Sequence, residues 1–443
     1  MRINQEQINQ LIEAQYHYFE SQQTERATEV VEMLMEPLFK VGRYSELLQI
    51  LEQTINRATK LSPRFFIFHA RSLSALGRHE QALVELNMVE VELKDDHEWR
   101  AAILIDRGNF LRRSGDVSKA DEILADFREA YEIYDSRIKP EGGSDEDKKW
   151  GLKNKAKALF NEGAILQYFL ARPGEATERY ERALEIFESS DTRDDDGIAV
   201  TYKQLGEIFA TSAFGSFYNP ERAVEYLEKA WAMFQQQESE TRILETIYQL
   251  ARLQRTKPEE SLRLFHEYLD IAKGLKLVRE EAIAKRHIAD LEIRLFKQRQ
   301  ELQPEIAASR EEVYRSNIAL LIEAERTLTL LGFDIWSRRS LANTYYLLGT
   351  LWLELEHPNR ALSYFEEGLK VCDEEIFRGN LDGDVRRRLR AVLRIAQLSY
   401  RGGDANRAHR LVSDYERDFH QLQLDYPSPE SVEELILQLE ARE

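Results

Sequence analysis

Cysteine, proline and glycine are all scarce in this 443-residue sequence, and each scarcity excludes a class of protein. The single cysteine, Cys372, cannot form an internal disulfide, which fits a reducing cytoplasm. The 10 prolines and 20 glycines leave long stretches without helix breakers, as in an all-helical protein. No apolar run approaches the roughly 18 residues of a membrane span, and the start MRINQEQINQ is polar, so we expect neither a membrane segment nor a signal peptide.

Positive charge is also short, because 61 lysines and arginines face 79 acids and give a formal net charge of −18. This balance argues against broad binding to nucleic acid or to membrane surfaces, although it is compatible with a local basic patch. Hydrophobic residues make up 43% of the chain, which is enough for a core and argues against general disorder. We therefore expect a folded, acidic, cytoplasmic protein.

A helix end, a turn and a new helix recur along the chain. In ALGRHEQALVEL (75–86), Gly77 ends one helix and the apolar spacing resumes within three residues. The alanine five residues after the turn, Ala82, sets the register. The same hairpin is found as GRYSEL (42–47, with leucine for alanine), GDVSKA (115–120), ARPGEA (171–176), YNPERA (218–223), TKPEES (256–261), EHPNRA (356–361) and GDANRA (403–408).

A second small residue lies 12 positions before the alanine in several hairpins. Two small residues at this spacing allow two antiparallel helices to pack closely, which is a reason of packing and not of catalysis. Pro173, Pro220, Pro258 and Pro358 are predicted to begin helices, where a missing N–H is harmless. The small positions are Ala70, Gly108, Gly349 and Ala396, with Gly163 and Gly206 added if their turns are longer.

These landmarks resemble the tetratricopeptide repeat (TPR), a helix–turn–helix unit of about 34 residues. The resemblance implies an all-α, right-handed α-solenoid of about nine TPR-like helix pairs over residues 24–422, in one domain spanning 1–443. We expect capping helices within 1–23 and 428–443. The long gap between turns is predicted to hide a degenerate pair at about 280–296 and 303–330, with Ala289 at the small position. Residues 138–151 and 189–197 are predicted loops.

Signatures of catalysis and of metal binding are missing from the sequence. It has no HExxH, no GxxxxGK[ST] and no GxGxxG after a strand. An EF-hand around Gly197 would need Thr192 and Lys203 as its first and last ligands, which are the wrong residue types, so these aspartates are better read as caps of the next helix. Cys372 is predicted to be a buried helix residue. We therefore predict no enzyme activity, no metal and no cofactor.

The TPR resemblance implies that the first helix of each pair lines a concave face. The residues at its inward positions are rich in arginine and amides, which can hold carboxylates or a peptide backbone. Only Asn109 matches the clamp that some family members use for C-terminal carboxylates. Displaced registers make Lys203, Glu207 and Arg252 weaker candidates. The predicted partner contacts are Arg64, Arg71, Asn109, Arg112, Arg113, Asn343, Tyr346, Thr350, Arg390, Arg394, Gln397, Tyr400 and Arg401.

The run 386–390 has two interpretations that the sequence leaves open. It is either a binding surface for an acidic partner or a solvated helix balanced by neighbouring acids.

For the whole chain, the sequence predicts a non-catalytic TPR scaffold or sensor that binds a protein or peptide in regulation or signalling. The phrase EPLFKVGRYSELLQILEQTI resembles the sensor halves of bacterial signal-transducing ATPases. The alternatives are a structural subunit that braces a larger complex and a peptide-pheromone-type receptor. Neither nucleic acid nor a membrane is an expected partner.

Overall fold

The computed structural model describes residues 5–40, 42–92, 97–114, 116–138, 145–189, 191–237, 239–254, 257–303, 309–331, 335–374 and 382–422. All regular elements within these ranges are helical, and no strand occurs in them. The chain divides into two compact units, Met1–Met233 (unit 1) and Phe234–Glu443 (unit 2). Each unit is built from helices that pack on their neighbours in chain order.

Unit 1 begins with a single helix, α1, which is followed by helix pairs. Short turns join the helices, so neighbours run antiparallel. The helix α11 crosses the division between the units. The helices are α1 (Gln5–Glu20), α2 (Thr24–Lys40), α3 (Tyr44–Arg57), α4 (Pro63–Ala75), α5 (His79–Glu92), α6 (His97–Ser114), α7 (Ala120–Ile138), α8 (Asp145–Tyr168), α9 (Pro173–Glu188), α10 (Asp195–Ala210) and α11 (Pro220–Gln236).

Unit 2 continues the pattern. In the described residues the pairs α2–α3 to α18–α19 number nine, as the sequence predicts. The right-handed sense, the single domain and the capping role of α1 stay predictions. The remaining helices are α12 (Glu240–Leu253), α13 (Pro258–Gly274), α14 (Val278–Leu302), α15 (Arg310–Leu330), α16 (Ile335–Glu354), α17 (Pro358–Cys372), α18 (Asp382–Arg401), α19 (Ala405–Asp414) and α20 (Glu416–Gln421).

In several pairs whose turn the structure describes, the turn holds one residue in the left-handed region. Its φ is +78° at Gly42, +81° at Gly77 and +89° at Gly403, where glycine adopts it without strain. Ala171 (φ +50°) and Glu356 (φ +62°) occupy the same turn position with a side chain. The four predicted prolines are the first residues of α9, α11, α13 and α17, which confirms the register.

The small residues sit where paired helices approach most closely. A Cβ on Gly108 would lie 2.6 Å from the ring of Phe127, and one on Gly349 would lie 2.7 Å from the ring of Phe365. The partner alanine Ala361 is fully buried. The predicted packing role of the two landmarks is therefore confirmed.

Two helices, α8 and α14, extend beyond their predicted boundaries. Helix α8 begins at Asp145, inside the segment predicted as a loop, because the polar sequence DEDKK suits a first helical turn. The long helix of the degenerate pair is α14, which continues to Leu302 through polar residues. The capping helix predicted at 428–443 lies outside the described residues. The predicted aspartate cap is present, since the Asp194 side chain accepts a hydrogen bond from the Gly197 N–H.

The first helices of successive pairs contact one another. In unit 1, α2, α4, α6, α8 and α10 follow in this way, and in unit 2 α14, α16 and α18 do so. Within each unit these helices form one layer, and the second helices form the other. We call the surface of the first layer that faces away from the second helices the first-helix face. The sequence analysis predicts that the contact residues lie on it.

Candidate binding face

Ion pairs join neighbouring first helices of unit 1. Arg71 on α4 donates from Nε to the Asp106 carboxylate on α6 at 2.8 Å. Burial raises the pKa of Asp106, and the charge of Arg71 opposes that shift. Because the two residues are far apart in sequence, this pair sets how α4 and α6 lie against each other. Arg71 is thus engaged within the protein.

Three further cations on the first-helix face of unit 1 have acid partners. Lys153 on α8 lies 2.8 Å from the carboxylate of Asp194, the residue that caps α10. The other two pairs are looser. They are Arg64 with Glu36 at 3.7 Å, and Lys203 with Glu207 at 3.2 Å.

Arg112, Arg113 and Lys157 differ from these paired cations. No carboxylate of the described residues lies within ion-pair distance of any of them. The Arg112 Nε is buried without a hydrogen-bond partner. Loss of hydration lowers the pKa of Arg112, and repulsion from Arg113 lowers it further. Arg112 and Arg113 are adjacent on α6, and Asn109 lies half-buried one turn before Arg112. We call these two arginines and Lys157, which is on the neighbouring first helix α8, the free cation group of unit 1.

Two residues on the first helices of unit 1 are exposed but poorly hydrated. Lys157 on α8 is exposed, yet loss of hydration lowers its pKa, and its charge interacts with Arg71 on α4 and with Glu36 on α2. Tyr168 is 52% exposed, while loss of hydration raises its pKa. We interpret this combination as a groove along the first-helix face of unit 1.

Tyr168 also links α8 to α10. Its hydroxyl lies 2.7 Å from the Gln204 amide oxygen and also contacts the Glu207 carboxylate. Lys203 pairs with the same carboxylate. The groove therefore offers a hydroxyl, an amide and a carboxylate close to the free cation group, and these are groups that can bond to a peptide backbone.

In unit 2 the arginines of the first-helix face are held by acids. Arg339 on α16 makes a bidentate pair with Asp384 on α18, at 2.8 and 2.6 Å. Arg387 binds the same carboxylate, which is only 5% exposed. Arg338 pairs with Glu374 in the same manner. Arg339 therefore ties α16 to α18, and Arg338 ties α16 to the chain that follows α17.

The run 386–390 follows the second of its two interpretations, with one difference. Arg388 lies 3.3 Å from Asp418 and 3.6 Å from Asp373, so acids do balance it. The helix is, however, packed rather than solvated, because Arg390 is 6% exposed. The Arg390 guanidinium lies 4.5 Å from the ring centroid of Tyr346 and donates to the Asn343 side chain at 3.3 Å.

Burial also affects the other contact residues predicted in unit 2. Tyr346 is 8% exposed and Gln397 is 9% exposed, so little of either side chain reaches the surface. Arg394 donates to Gln397 at 3.2 Å, and the Thr350 hydroxyl bonds to the Tyr346 carbonyl at 2.9 Å. Tyr400 and Arg401, at the end of α18, are exposed. A partner-binding role for this set stays a prediction.

The sequence analysis missed three residues on the first helices, Tyr168, Arg286 and Lys157. For the first two, the repeat register contained a pattern that could have identified them. Tyr168 follows Gly163 by five positions, the same offset that separates Arg113 from Gly108. Arg286 precedes Ala289 by three positions, the offset of Ile67 from Ala70. Applying the register of the clear repeats to the displaced ones would have found both. Lys157 had no such signal.

The described residues contain no group of three or more histidine, cysteine, aspartate or glutamate side chains placed to hold a metal ion. Burial raises the pKa of the Cys372 thiol to about 12, so it is not a nucleophile at neutral pH. Among the described helices none is long and apolar enough to cross a membrane.

Helix pairs in chain order, small residues at their crossings and a shared turn register define the architecture. The fold is TPR-like. No protein-family model matches the sequence, and no curated protein matches it.

Several solved structures share a distant likeness. The apo quorum sensor NprR from B. thuringiensis is 12% identical over 85% of this chain and 98% of that chain, with a TM-score of 0.47. Apo RapI is 13% identical over 70% of this chain and 97% of that chain, with a TM-score of 0.41. Aspartyl phosphate phosphatase F from Bacillus subtilis is 10% identical over 96% and 97%, also at 0.41. None of these likenesses decides a partner or an activity.

Proposed function

We propose that this protein is a non-catalytic sensor or scaffold that binds a protein or peptide partner in the groove of unit 1. The observation that carries the proposal is the free cation group, Arg112, Arg113 and Lys157. The chain has a net charge of −18 and pairs most groove cations with acids, yet these three keep none among the described residues. A partner that presents carboxylates to the groove would complete them.

The recessed position strengthens such contacts. Water screens a charge poorly where protein surrounds it, so a partner carboxylate beside Arg112 interacts more strongly than it would on a flat surface. The Tyr168 hydroxyl and the amides of Gln204 and Asn109 supply hydrogen bonds for the partner's backbone. A segment of extended chain with acidic side chains fits this combination best. A peptide-pheromone-type receptor, which would bind a short peptide, is one form of this function.

A second candidate function is that of a structural subunit in a larger complex. The second helix α5 exposes Val84 (61%), Met88 (60%) and Val91 (75%), which share one face because they lie four and three residues apart. An exposed apolar stripe on the outer layer is typical of a surface that another protein covers. In this case the groove would be secondary.

One capture experiment separates the two functions. Wild-type protein, Arg113→Glu and the control Lys229→Glu are immobilised and compared for what they retain from cell extract. Lys229 is a suitable control because it is 46% exposed on the second helix α11. We expect the specific partner to be lost with Arg113→Glu alone. A partner that survives Arg113→Glu but is lost with Val84→Asn/Met88→Gln would establish the bracing role instead.

We also propose that the protein acts without metal or cofactor and works in the cytoplasm, where its thiol at Cys372 stays reduced. No reaction is assigned to it. Metal analysis that finds one zinc ion per purified chain, or measurable turnover of ATP or GTP, would contradict the proposal.

A further inference from the structure

A buried arginine in unit 2 has no acidic partner. Arg286, on the first helix α14, is 8% exposed, and no carboxylate of the described residues lies within ion-pair distance of it. Its Nε is buried without a hydrogen bond. A guanidinium removed from water without an anion is unfavourable, so this side chain is an exception to the paired arginines on α16 and α18.

The contact that Arg286 does make is with a histidine and not with a carboxylate. One of its terminal nitrogens meets Nε2 of His287, which can accept a hydrogen bond only when the imidazole is unprotonated. The His287 ring is fixed by stacking on Phe265, with ring centroids 4.3 Å apart, and by the edge of Tyr248 at 5.7 Å. Arg286 is therefore oriented by its surroundings while its charge remains uncompensated.

Other positive charges lie around the same place. The Arg252 guanidinium on α12 is exposed and lies 5.6 Å from the ring centroid of Tyr248. Loss of hydration lowers the pKa of Arg286, and the charges of Arg387 and Arg252 lower it further. Asp290 acts in the opposite sense, but its carboxylate is 2.8 Å from Arg294. Arg387 has Asp384 as a partner.

A hydrogen-bond donor completes the group. The Tyr248 side chain is half-buried, and its hydroxyl makes no hydrogen bond within the part of the chain that the structure describes. Tyr248 stands between the exposed Arg252 and the ring of His287, next to Arg286. Arg252 contacts the ring of Tyr248, and Tyr248 contacts the ring of the histidine that holds Arg286. Two guanidinium groups and a phenolic donor therefore adjoin one another.

We propose that unit 2 contains a binding site for an oxyanion, a carboxylate or a phosphate group, between Arg252, Tyr248 and Arg286. Guanidinium groups bind both kinds of oxyanion through paired N–H donors. The site uses none of the residues of the unit 1 groove, so its test is independent of the partner proposed there.

The test is calorimetric titration of the full chain with inorganic phosphate and, separately, with succinate, at fixed pH and ionic strength. Arg286→Met keeps the side-chain volume and removes the charge. Arg299→Met is the matched control, because Arg299 is on the same helix, exposed and equally charged. We expect Arg286→Met to weaken binding by about 10- to 100-fold and Arg299→Met to leave it unchanged.

A second variant protects the test against misfolding. Arg252 is exposed, so Arg252→Met is tolerated by the fold and should weaken binding by about 10-fold. Binding of phosphate alone would show that the site takes a phosphate group, and binding of succinate alone would show that it takes a carboxylate. Binding of both would show a general oxyanion site. If the wild-type protein binds neither probe, or if Arg252→Met and Arg299→Met bind equally well, the site does not exist.

Discussion

The first-helix faces of the two units carry the same kinds of residue and use them differently. In unit 1, Arg113 is exposed without an acid partner in the described residues, and Arg112 is half-buried without one. In unit 2, Arg339 and Arg387 share the buried carboxylate of Asp384. An arginine-rich helix is therefore not by itself a binding face. The placement of the acids decides whether its charges are available or structural.

Local sequence explains much of this difference. On a helix, side chains three or four residues apart are neighbours. Asp384 precedes Arg387 by three residues, whereas Gly108 and Asn109 stand at those offsets before Arg112. Around Lys157 the corresponding residues are lysine, asparagine and phenylalanine, with no acid among them. The sequence therefore provides no acid one helical turn before Arg112 or one turn from Lys157.

The largest expected effect is on the stability of unit 2. Asp384→Asn leaves Arg339 and Arg387 without their shared carboxylate in a site where Asp384 is 5% exposed. We expect a loss of about 3 kcal/mol in the free energy of unfolding, measured in urea. Glu311→Gln is the control, since its pair with Arg315 is exposed and contributes below about 0.5 kcal/mol. If the two variants are equally stable, Arg339 and Arg387 do not have this structural role.

The next effect is on binding by unit 1. Arg112→Ala combined with Arg113→Ala should weaken a groove partner by about 100-fold, because each arginine in a partly dry groove contributes roughly 1.5 kcal/mol. Stability should change little, as Arg113 is exposed. Direct titration of the partner gives the affinity. An unchanged dissociation constant would move the site away from the groove.

Close packing provides a test that treats both units alike. Gly108→Ala places a methyl group 2.6 Å from Phe127, and Gly349→Ala places one 2.7 Å from Phe365. Each should destabilise its own unit by about 1–3 kcal/mol, since the ring must move. Repeats contact mainly their neighbours, so hydrogen exchange should rise in the substituted unit alone. Equal rises in both units would show that they unfold together.

The smallest effect concerns Arg390, which the sequence analysis placed among the partner contacts. Arg390→Gln removes a guanidinium stacked on Tyr346 in a buried setting. We expect a loss of about 1 kcal/mol in stability and less than about a twofold change in partner affinity. A larger change in affinity than in stability would restore Arg390 to the binding face.

The helix register could be predicted because it rests on local chemistry. A turn that needs positive φ, a proline at a helix start and a glycine opposite an aromatic ring are each visible in a few residues. The polar start of α8 and the polar end of α14 were misjudged, because composition alone separates a solvated helix poorly from a loop.

The ion pairs between neighbouring helices could not be predicted from local sequence in the same way. Arg71 meets an acid 35 residues away, and Arg339 meets one 45 residues away. Such partners depend on which helices lie side by side and on the rotation of each helix. The sequence therefore did not show which of the predicted contact residues are held by acids within the protein.

The turns inside the pairs have a consequence for how this protein can evolve. Ala171 and Glu356 hold a left-handed backbone that Gly42, Gly77 and Gly403 adopt without strain. A residue with a Cβ is disfavoured there by roughly 1–2 kcal/mol, more than the chain entropy that a glycine would lose on folding. We therefore expect Ala171→Gly or Glu356→Gly to raise the melting temperature. Neither mutation changes a residue of the first-helix face. Such a mutation would offset part of the stability that is lost when a new binding residue weakens the fold.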